Sequence, residues 1–363
     1  MPWKIAPGRS KPVNVWKEIL KKERLLKPWQ TILPYHEMPD LEHITLTPGD
    51  PSSFLTDRKI KDDYNHEYFP DSQKITRTIT KNTVFWYPRE HFKIYPPDLY
   101  APPEHEGKEI AGIFLKGVLA NPEKQQRAWE GLESLDWLPP KRPETRTAVK
   151  IQKGNLVTPR ELSIGWTKFA LKGKKGHRIT LTKETIANKE RLEGVGALVQ
   201  EMDHCFARAL PFYARLQNQR KWDPEVRKLL ADPGWVNSSN FLRLWVTSYS
   251  ASTLLRSCPA SIHKDRNANL DQTNFACLTS VGKLKENGEP EFSGGSFCLI
   301  EYGIRIPINP GDIFIGQTTR EWHCNLDPVV GTKYSVICYY HPRAAKPGLK
   351  IHEPRRKPAK KKH

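Results

Sequence analysis

The sequence lacks the usual features of secreted and membrane proteins. Its six cysteines are scattered, with no Cys-x-x-Cys pair, which argues against a disulfide framework or a zinc site built on paired cysteines. It contains no run of about 18 uninterrupted apolar residues, so no transmembrane helix is expected. The first residues also lack an apolar signal core. We therefore expect reduced thiols, an intracellular compartment and no association with membranes.

Acidic residues are also few relative to basic ones. The chain has 40 Asp and Glu against 58 Lys and Arg, which gives a formal net charge of +18. Such a balance favours a polyanionic partner, with nucleic acid first, although a merely cationic surface is the alternative. The segment from Lys346 to His363 carries eight Lys or Arg and one Glu. It is typical of a nuclear-import signal or a phosphate-binding arm, so we predict a nuclear protein. No obligate protein partner is inferred.

The composition supports a large folded core. Hydrophobic residues make up 37% of the 363 residues, and the eleven tryptophans must be buried or stacked. After Cys258 the sequence becomes a series of short β segments separated by Gly/Pro turns, which is typical of a sandwich or jelly roll. Helices are predicted over Glu123–Leu135 and Lys183–Leu210, so the fold class is α+β. We predict an extension over 1–149 packed on the core, a catalytic domain over 150–343 and a disordered basic tail over 344–363.

Three residues have the spacing of a metal centre. His263 and Asp265 form the only His-x-Asp in the chain, and His323 follows a later β segment. Two histidines and one carboxylate can hold Fe(II) on one face and leave the opposite face open. His341 and His352 are rival distal ligands, and a surface loop at His263–Asp265 is the alternative interpretation. We predict that His263, Asp265 and His323 bind iron in an Fe(II)/2-oxoglutarate-dependent oxygenase.

A lysine ten residues after His323 is a candidate co-substrate anchor. Lys333 begins an apolar β segment, where an ammonium group requires an anionic partner. The distal carboxylate of 2-oxoglutarate would supply that partner, and Ser335 on the same strand face could add a hydrogen bond. A surface cation is the alternative for Lys333. Gly294-Gly295 is equally consistent with a hairpin turn and with close backbone approach to a ligand.

The region from 262 to 341 resembles the oxygenase domain of the TET/JBP family of nucleic-acid dioxygenases, most closely its fungal and algal branch. The resemblance covers about residues 150–343 and is sharp over about 260–342. The matching pieces are His263-Lys264-Asp265-Arg266-Asn267, Gly294-Gly295, Tyr302-Gly303, Pro310-Gly311-Asp312, Trp322-His323-Cys324-Asn325 and Gly331-Thr332-Lys333-Tyr334-Ser335.

The resemblance implies a double-stranded β-helix, the cofactor Fe(II), the co-substrates 2-oxoglutarate and O₂, and oxidation of the methyl group of 5-methylcytosine in double-stranded DNA. The target base would have to flip out of the duplex. Tyr339 and His341 match family residues that contact the flipped base, and Asn267 lies one residue early for a third contact. Lys333 stands where animal members have Arg, but collagen-type prolyl hydroxylases also place Lys about there.

Two alternatives stay open at this point. The same oxygenase chemistry could act on N6-methyladenine, on RNA or on a protein side chain. A protein of another class, a non-catalytic basic protein that binds nucleic acid on a jelly-roll scaffold, would also account for the charge. Of the aromatic residues that could stack an extruded base, namely Trp245, Tyr249 and Tyr339, the sequence favours Tyr339.

Overall fold

The computed structural model describes the central part of the chain and several separate segments. They are residues 34–38, 40–47, 75–88, 101–119, 121–137, 149–151, 155–157, 160–170, 177–188, 190–211, 213–214, 217, 249, 251–257, 260, 263–265, 275–326, 329–339 and 350–351. None of the helices formed by these residues has the length and apolar character needed to cross a membrane.

The described residues form sixteen strands and three α-helices. The strands are β1 Glu42–Thr45, β2 Arg77–Thr78, β3 Thr83–Trp86, β4 Ile110–Leu115, β5 Val149–Ile151, β6 Asn155–Val157, β7 Arg160–Ala170, β8 His177–Leu181, β9 Ala251–Arg256, β10 Ala276–Val281, β11 Ser296–Leu299, β12 Ile304–Ile306, β13 Ile313–Gly316, β14 His323–Leu326, β15 Tyr334–Tyr339 and β16 Lys350–Ile351. The helices are α1 Pro122–Glu133, α2 Lys183–Ala187 and α3 Glu193–Ala209, and 3₁₀ helices cover Tyr35–Glu37, Pro103–His105 and Ile300–Tyr302.

Two sheets form the core. The large sheet has the order β1-β3-β4-β13-β10-β15-β9-β7-β8-β16, and the small sheet has the order β14-β11-β12-β2. From β9 onward the chain alternates between the sheets: β10, β13 and β15 are added to the large one, and β11, β12 and β14 to the small one. This alternation makes a double-stranded β-helix. The predicted α+β class with a jelly-roll core and flanking helices is confirmed.

The large sheet is covered on both sides, which explains why its central strands are apolar on both faces. All six residues of β10 are buried, as expected for a central strand with two apolar faces. In β15 buried and half-buried residues alternate, because successive side chains point to opposite faces. Tyr334, Val336 and Cys338 belong to the core on the helix side, whereas Ile337 and Tyr339 pack against the core between the two sheets.

Helices α1 and α3 pack at very close range on the outer side of the large sheet. A Cβ added at Gly131 would lie 2.3 Å from the carbonyl oxygen of Arg191, and one at Gly194 would lie 2.2 Å from that of Arg127. The predicted single helix over Lys183–Leu210 is wrong, because this segment forms two helices, α2 and α3. Helix α2 ends at Ala187, with Asn188 as its C-cap, and the turn before α3 brings the Arg191 carbonyl onto Gly131. The helix predicted at Glu123–Leu135 is confirmed as α1.

Strands from the N-terminal part continue the large sheet. β4 pairs with β13, β3 with β4, and β1 with β3. Within the segment predicted as a disordered tail, Lys350 and Ile351 form β16, which pairs with β8. The boundaries at 149 and 343 remain predictions.

Candidate metal centre

The backbone brings the two candidate histidines side by side. His263 and His323 form an isolated antiparallel bridge, in which each N–H donates to the other's carbonyl at 2.9 and 3.0 Å. Paired residues in such a bridge project their side chains to the same side of the sheet. Asp265, two residues from His263, points to that side as well. Its N–H donates to the carbonyl of Thr318 at 3.2 Å, which fixes the segment at a second point.

The three side chains converge on one small volume. One ligand atom from each of His263, Asp265 and His323 lies within 4.8 Å of the others. The His263 Nε2 is 3.7 Å from an Asp265 carboxylate oxygen, and the two imidazole centroids are 4.2 Å apart. Ligand atoms about 2.1 Å from a metal and at right angles to each other lie roughly 3 Å apart. The separations between the three side chains would therefore have to shorten by about an ångström to bind an ion. Two imidazoles and a carboxylate are a donor set for non-haem Fe(II), and the residues fit that group.

His323 has the protonation state that a ligand needs. Burial, with a smaller contribution from His263, lowers the pKa of His323 to about 4, so its imidazole is neutral at physiological pH. Its Nδ1 lies 2.9 Å from the carbonyl oxygen of Glu321. Because a carbonyl can only accept, the ring proton sits on Nδ1, and the Nε2 lone pair is left for a ligand.

Asp265 is oriented by a hydroxyl group. Thr318 Oγ1 donates to one carboxylate oxygen at 2.6 Å, while the other oxygen faces His263. Lys264, between the two predicted ligands, projects away from them and places its ammonium 5.2 Å from the ring centroid of Trp322. The two segments that carry the histidines are thus joined twice: by the backbone bridge between His263 and His323, and by the cation–π contact between their neighbours.

Lys333 is buried on the same strand face as Tyr339. It is 4% exposed, and burial lowers its pKa to about 8. Its ammonium donates to the carbonyl of Gly295 at 2.8 Å and lies 5.3 Å from the ring centroid of Phe292. An ammonium has three donors, and no carboxylate within the described residues pairs with this one. A buried cation with a single acceptor is costly, and an anionic ligand would remove that cost.

The structure describes three of the remaining candidate residues and leaves three others outside the described residues. Ser335 and Tyr339 lie on the inner face of β15, and Ser335 is half-buried. Strand alternation puts Lys333, the residue before β15, on the same side. Burial raises the pKa of Tyr339, and the nearby Glu161 and Asp265 carboxylates add to that shift, so Tyr339 lies within electrostatic reach of the triad. Tyr249 is fully buried in the helix-side core. Asn267, His341 and Trp245 lie outside the described residues.

Sequence reasoning missed the polar residues that surround the triad. Thr318 and Glu321 contact Asp265 and His323, and the Glu321 carboxylate accepts hydrogen bonds from Tyr87 and Tyr302. The detectable signal was the polar stretch 317–321 between an apolar strand and the distal histidine. The contribution of Tyr87, more than 200 residues earlier, had no local signal.

Neither a protein-family model nor a curated protein matches the sequence. Solved structures with similarity include NgTET1 in complex with 5mC DNA, at 13% identity and a TM-score of 0.41, covering 81% of this chain and 84% of that one. Another is a prolyl hydroxylase from Trichoplax adhaerens in complex with a peptide of hypoxia inducible factor. It has 9% identity and a TM-score of 0.31, covering 65% and 86% of the two chains. At these identities and scores, neither similarity assigns an activity to this chain.

Proposed function

We propose that this protein is an Fe(II)/2-oxoglutarate-dependent dioxygenase that oxidises the methyl group of 5-methylcytosine in DNA. The observation that carries the proposal is the convergence of His263, Asp265 and His323 at one end of a double-stranded β-helix. A buried lysine on the inner face of the same barrel supports it. A coincidental cluster of polar residues would not account for a neutral, oriented imidazole, an oriented carboxylate and a buried ammonium that has no carboxylate partner among the described residues.

Each of these residues has a defined task in the proposed reaction. His263, Asp265 and His323 would hold the iron through two nitrogens and one oxygen. Iron bound there would supply O₂-dependent oxidation, in which 2-oxoglutarate is converted to succinate and CO₂ and the substrate gains a hydroxyl group. Thr318 and the Glu321 carbonyl keep the ligand atoms directed at a common point. With only three protein ligands, a bound iron would keep coordination positions for the co-substrates.

Lys333 would bind the distal carboxylate of 2-oxoglutarate. Its ammonium retains donors beyond the bond to Gly295, and burial excludes water that would compete for the anion. A bound carboxylate would restore the lowered pKa towards its usual value and keep the lysine charged. Ser335, two residues along the same face, could donate a further hydrogen bond from its hydroxyl group.

DNA is the proposed substrate because of the charge of the chain and the sequence resemblance described above. The net charge of +18 suits a phosphate backbone, so binding should weaken steeply as salt concentration rises. A base within a duplex cannot reach the triad, so the target nucleotide would flip out, with Tyr339 as its stacking partner. Oxidation beyond the hydroxymethyl stage and a nuclear location are parts of the same proposal.

The decisive experiment measures oxidised nucleosides. The protein is incubated with Fe(II), 2-oxoglutarate and duplex DNA containing 5-methylcytosine, and the digested DNA is examined by mass spectrometry for 5-hydroxymethylcytosine. Parallel reactions contain N6-methyladenine DNA, methylated RNA and peptides, and His323→Ala is the control variant. Succinate formed without oxidised cytosine would contradict the DNA substrate but not the oxygenase. Failure to bind a divalent metal would contradict both and leave a non-catalytic binding protein.

A further inference from the structure

Glu321 is a buried carboxylate held from two directions. It is 4% exposed, and its two oxygens accept hydrogen bonds from different phenols. Tyr87, just after β3 of the large sheet, donates at 2.5 Å, and Tyr302, in the 3₁₀ helix after β11 of the small sheet, donates at 2.6 Å. Burial raises the pKa of both tyrosines, with the Glu321 charge adding to the shift, so both hydroxyl groups remain protonated donors. The carboxylate therefore links two parts of the chain that lie more than 200 residues apart.

The main chain of the same residue contacts a candidate ligand. The Glu321 carbonyl accepts from Nδ1 of His323 at 2.9 Å, and its N–H donates to the Gln317 carbonyl at 3.3 Å. The same residue therefore carries both the clamped carboxylate and the carbonyl that accepts from His323. A ligating histidine needs this type of hydrogen bond to fix its tautomer and the orientation of its ring.

The turn that precedes Glu321 is fixed to the outer strands. Arg320 forms a buried ion pair with Glu109 at 2.9 Å and also donates to the side chain of Gln317 at 2.7 Å. Its guanidinium lies 5.2 Å from the ring centroid of Tyr87. The backbone N–H of Gln317 donates to Ala111 in β4 at 3.0 Å. These contacts fix the turn up to Arg320, and the two phenols fix Glu321 itself, so loss of the phenol contacts would loosen the carbonyl at the end of the turn.

We propose that Glu321, clamped by Tyr87 and Tyr302, is a positioning residue that holds His323 in the Nδ1–H tautomer with Nε2 directed at the metal. This inference rests on the metal site proposed above. Both carboxylate oxygens of Glu321 are engaged by the two phenols, and the residue acts on the site through the carbonyl that it presents to His323.

The first test measures Co(II) affinity in the full chain by the visible absorption of the bound ion. Glu321→Gln retains the size of the side chain but has only one acceptor oxygen, and Co(II) binding is expected to weaken about tenfold. Tyr302→Phe removes only a hydroxyl group at a half-buried position and should cause a smaller loss of the same kind. The matched control is Tyr249→Phe, which removes a buried hydroxyl that bonds Cys277 in the helix-side core. It should leave the affinity unchanged.

The second test measures the tautomer of His323 in the metal-free protein. Long-range ¹H–¹⁵N spectra distinguish Nδ1–H from Nε2–H imidazoles, and comparison with His323→Ala assigns the signal. The wild type and Tyr249→Phe should show the Nδ1–H form alone, whereas Glu321→Gln and Tyr302→Phe should show a mixture. Pure Nδ1–H signals and unchanged Co(II) affinity in folded Glu321→Gln and Tyr302→Phe would overturn the inference and leave the metal site intact. A wild type that binds no Co(II) would instead contradict the proposed function.

Discussion

The two buried layers of this protein differ in composition and in what they support. The layer between the helices and the large sheet is apolar almost throughout, with residues such as Leu198 and Val336 fully buried. The layer between the two sheets is apolar at its centre but ends in the triad and Lys333. β15 contributes one face to each layer. Opposite faces of the same strands therefore contribute to different properties: one face mainly to stability, and the other to the proposed site. Mutations in one layer should change one property and leave the other intact.

The sharpest separation is expected at Asp265. Asp265→Ala removes one of the three proposed ligands from a half-exposed position, so Co(II) binding and succinate production should fall by at least about a thousandfold. The thermal midpoint of the metal-free protein should change little, because Asp265 contributes little to either core. Calorimetry with and without Co(II) checks metal binding and the thermal midpoint, and a succinate assay with Fe(II) checks turnover. A large loss of metal-free stability would show that the two layers are not separable.

The opposite effect is expected in the helix layer. Leu198→Ala should lower the free energy of unfolding by roughly 2–5 kcal/mol through lost burial and a residual cavity. Co(II) affinity of the folded protein should stay unchanged. The matched variant is Leu299→Ala, since Leu299 is also buried but lies opposite His323 in the small sheet. It should lower both stability and Co(II) affinity, and equal Co(II) affinities in the two variants would break the comparison.

Lys333 is expected to strengthen 2-oxoglutarate binding and to lower the stability of the metal-free protein. Lys333→Met is expected to weaken 2-oxoglutarate binding by about a hundredfold, while Co(II) affinity is retained. The metal-free variant should be at least as stable as the wild type, because a buried cation is replaced by an apolar chain of similar volume. Titration calorimetry and urea unfolding check the two parts, with exposed Lys285→Met as the control. Undiminished 2-oxoglutarate affinity in Lys333→Met would refute the anchoring role.

The pH dependence of stability offers an independent measure of Lys333. Burial lowers its pKa from 10.5 to about 8, so between these values the unfolded chain binds a proton that the folded chain lacks. Stability should therefore rise with pH across this window, by on the order of 3 kcal/mol. Below pH 8 both states are protonated, and the full cost of the buried charge remains. Urea unfolding of the wild type should show this rise relative to Lys333→Met, and identical pH profiles would contradict it.

A smaller effect should distinguish two glycines with positive φ. Gly288, at φ +81°, has open space where a Cβ would stand, whereas at Gly295, with φ +65°, a Cβ would lie 2.7 Å from Val329 and 3.4 Å from the Lys333 ammonium. Gly288→Ala should cost roughly 1 kcal/mol of stability from backbone strain alone. Gly295→Ala should cost more and also weaken 2-oxoglutarate binding. Equal effects on both properties would show that Gly295 is an ordinary turn.

Sequence reasoning predicted what local patterns encode. Short β segments with Gly/Pro turns predicted the jelly roll, and the His-x-Asp spacing predicted residues that the fold brings together. The helix break before α3 was missed because it depends on the close contact of Arg191 with Gly131 of α1, a tertiary constraint. Glu321 was missed for a similar reason, since its partners are distant in the chain: Tyr87 follows β3, and Tyr302 lies in the 3₁₀ helix after β11. Non-local contacts of this kind leave no periodicity in the sequence.

The strands before residue 116 also shield the barrel. Without β4, β13 would be an exposed edge strand, with backbone N–H and C=O groups available to another molecule. Such edges promote aggregation. The same strand supplies the Ala111 carbonyl that anchors Gln317. A fragment beginning near residue 150 would therefore lose both its protective border and part of the support for His323, and it should self-associate instead of remaining monomeric.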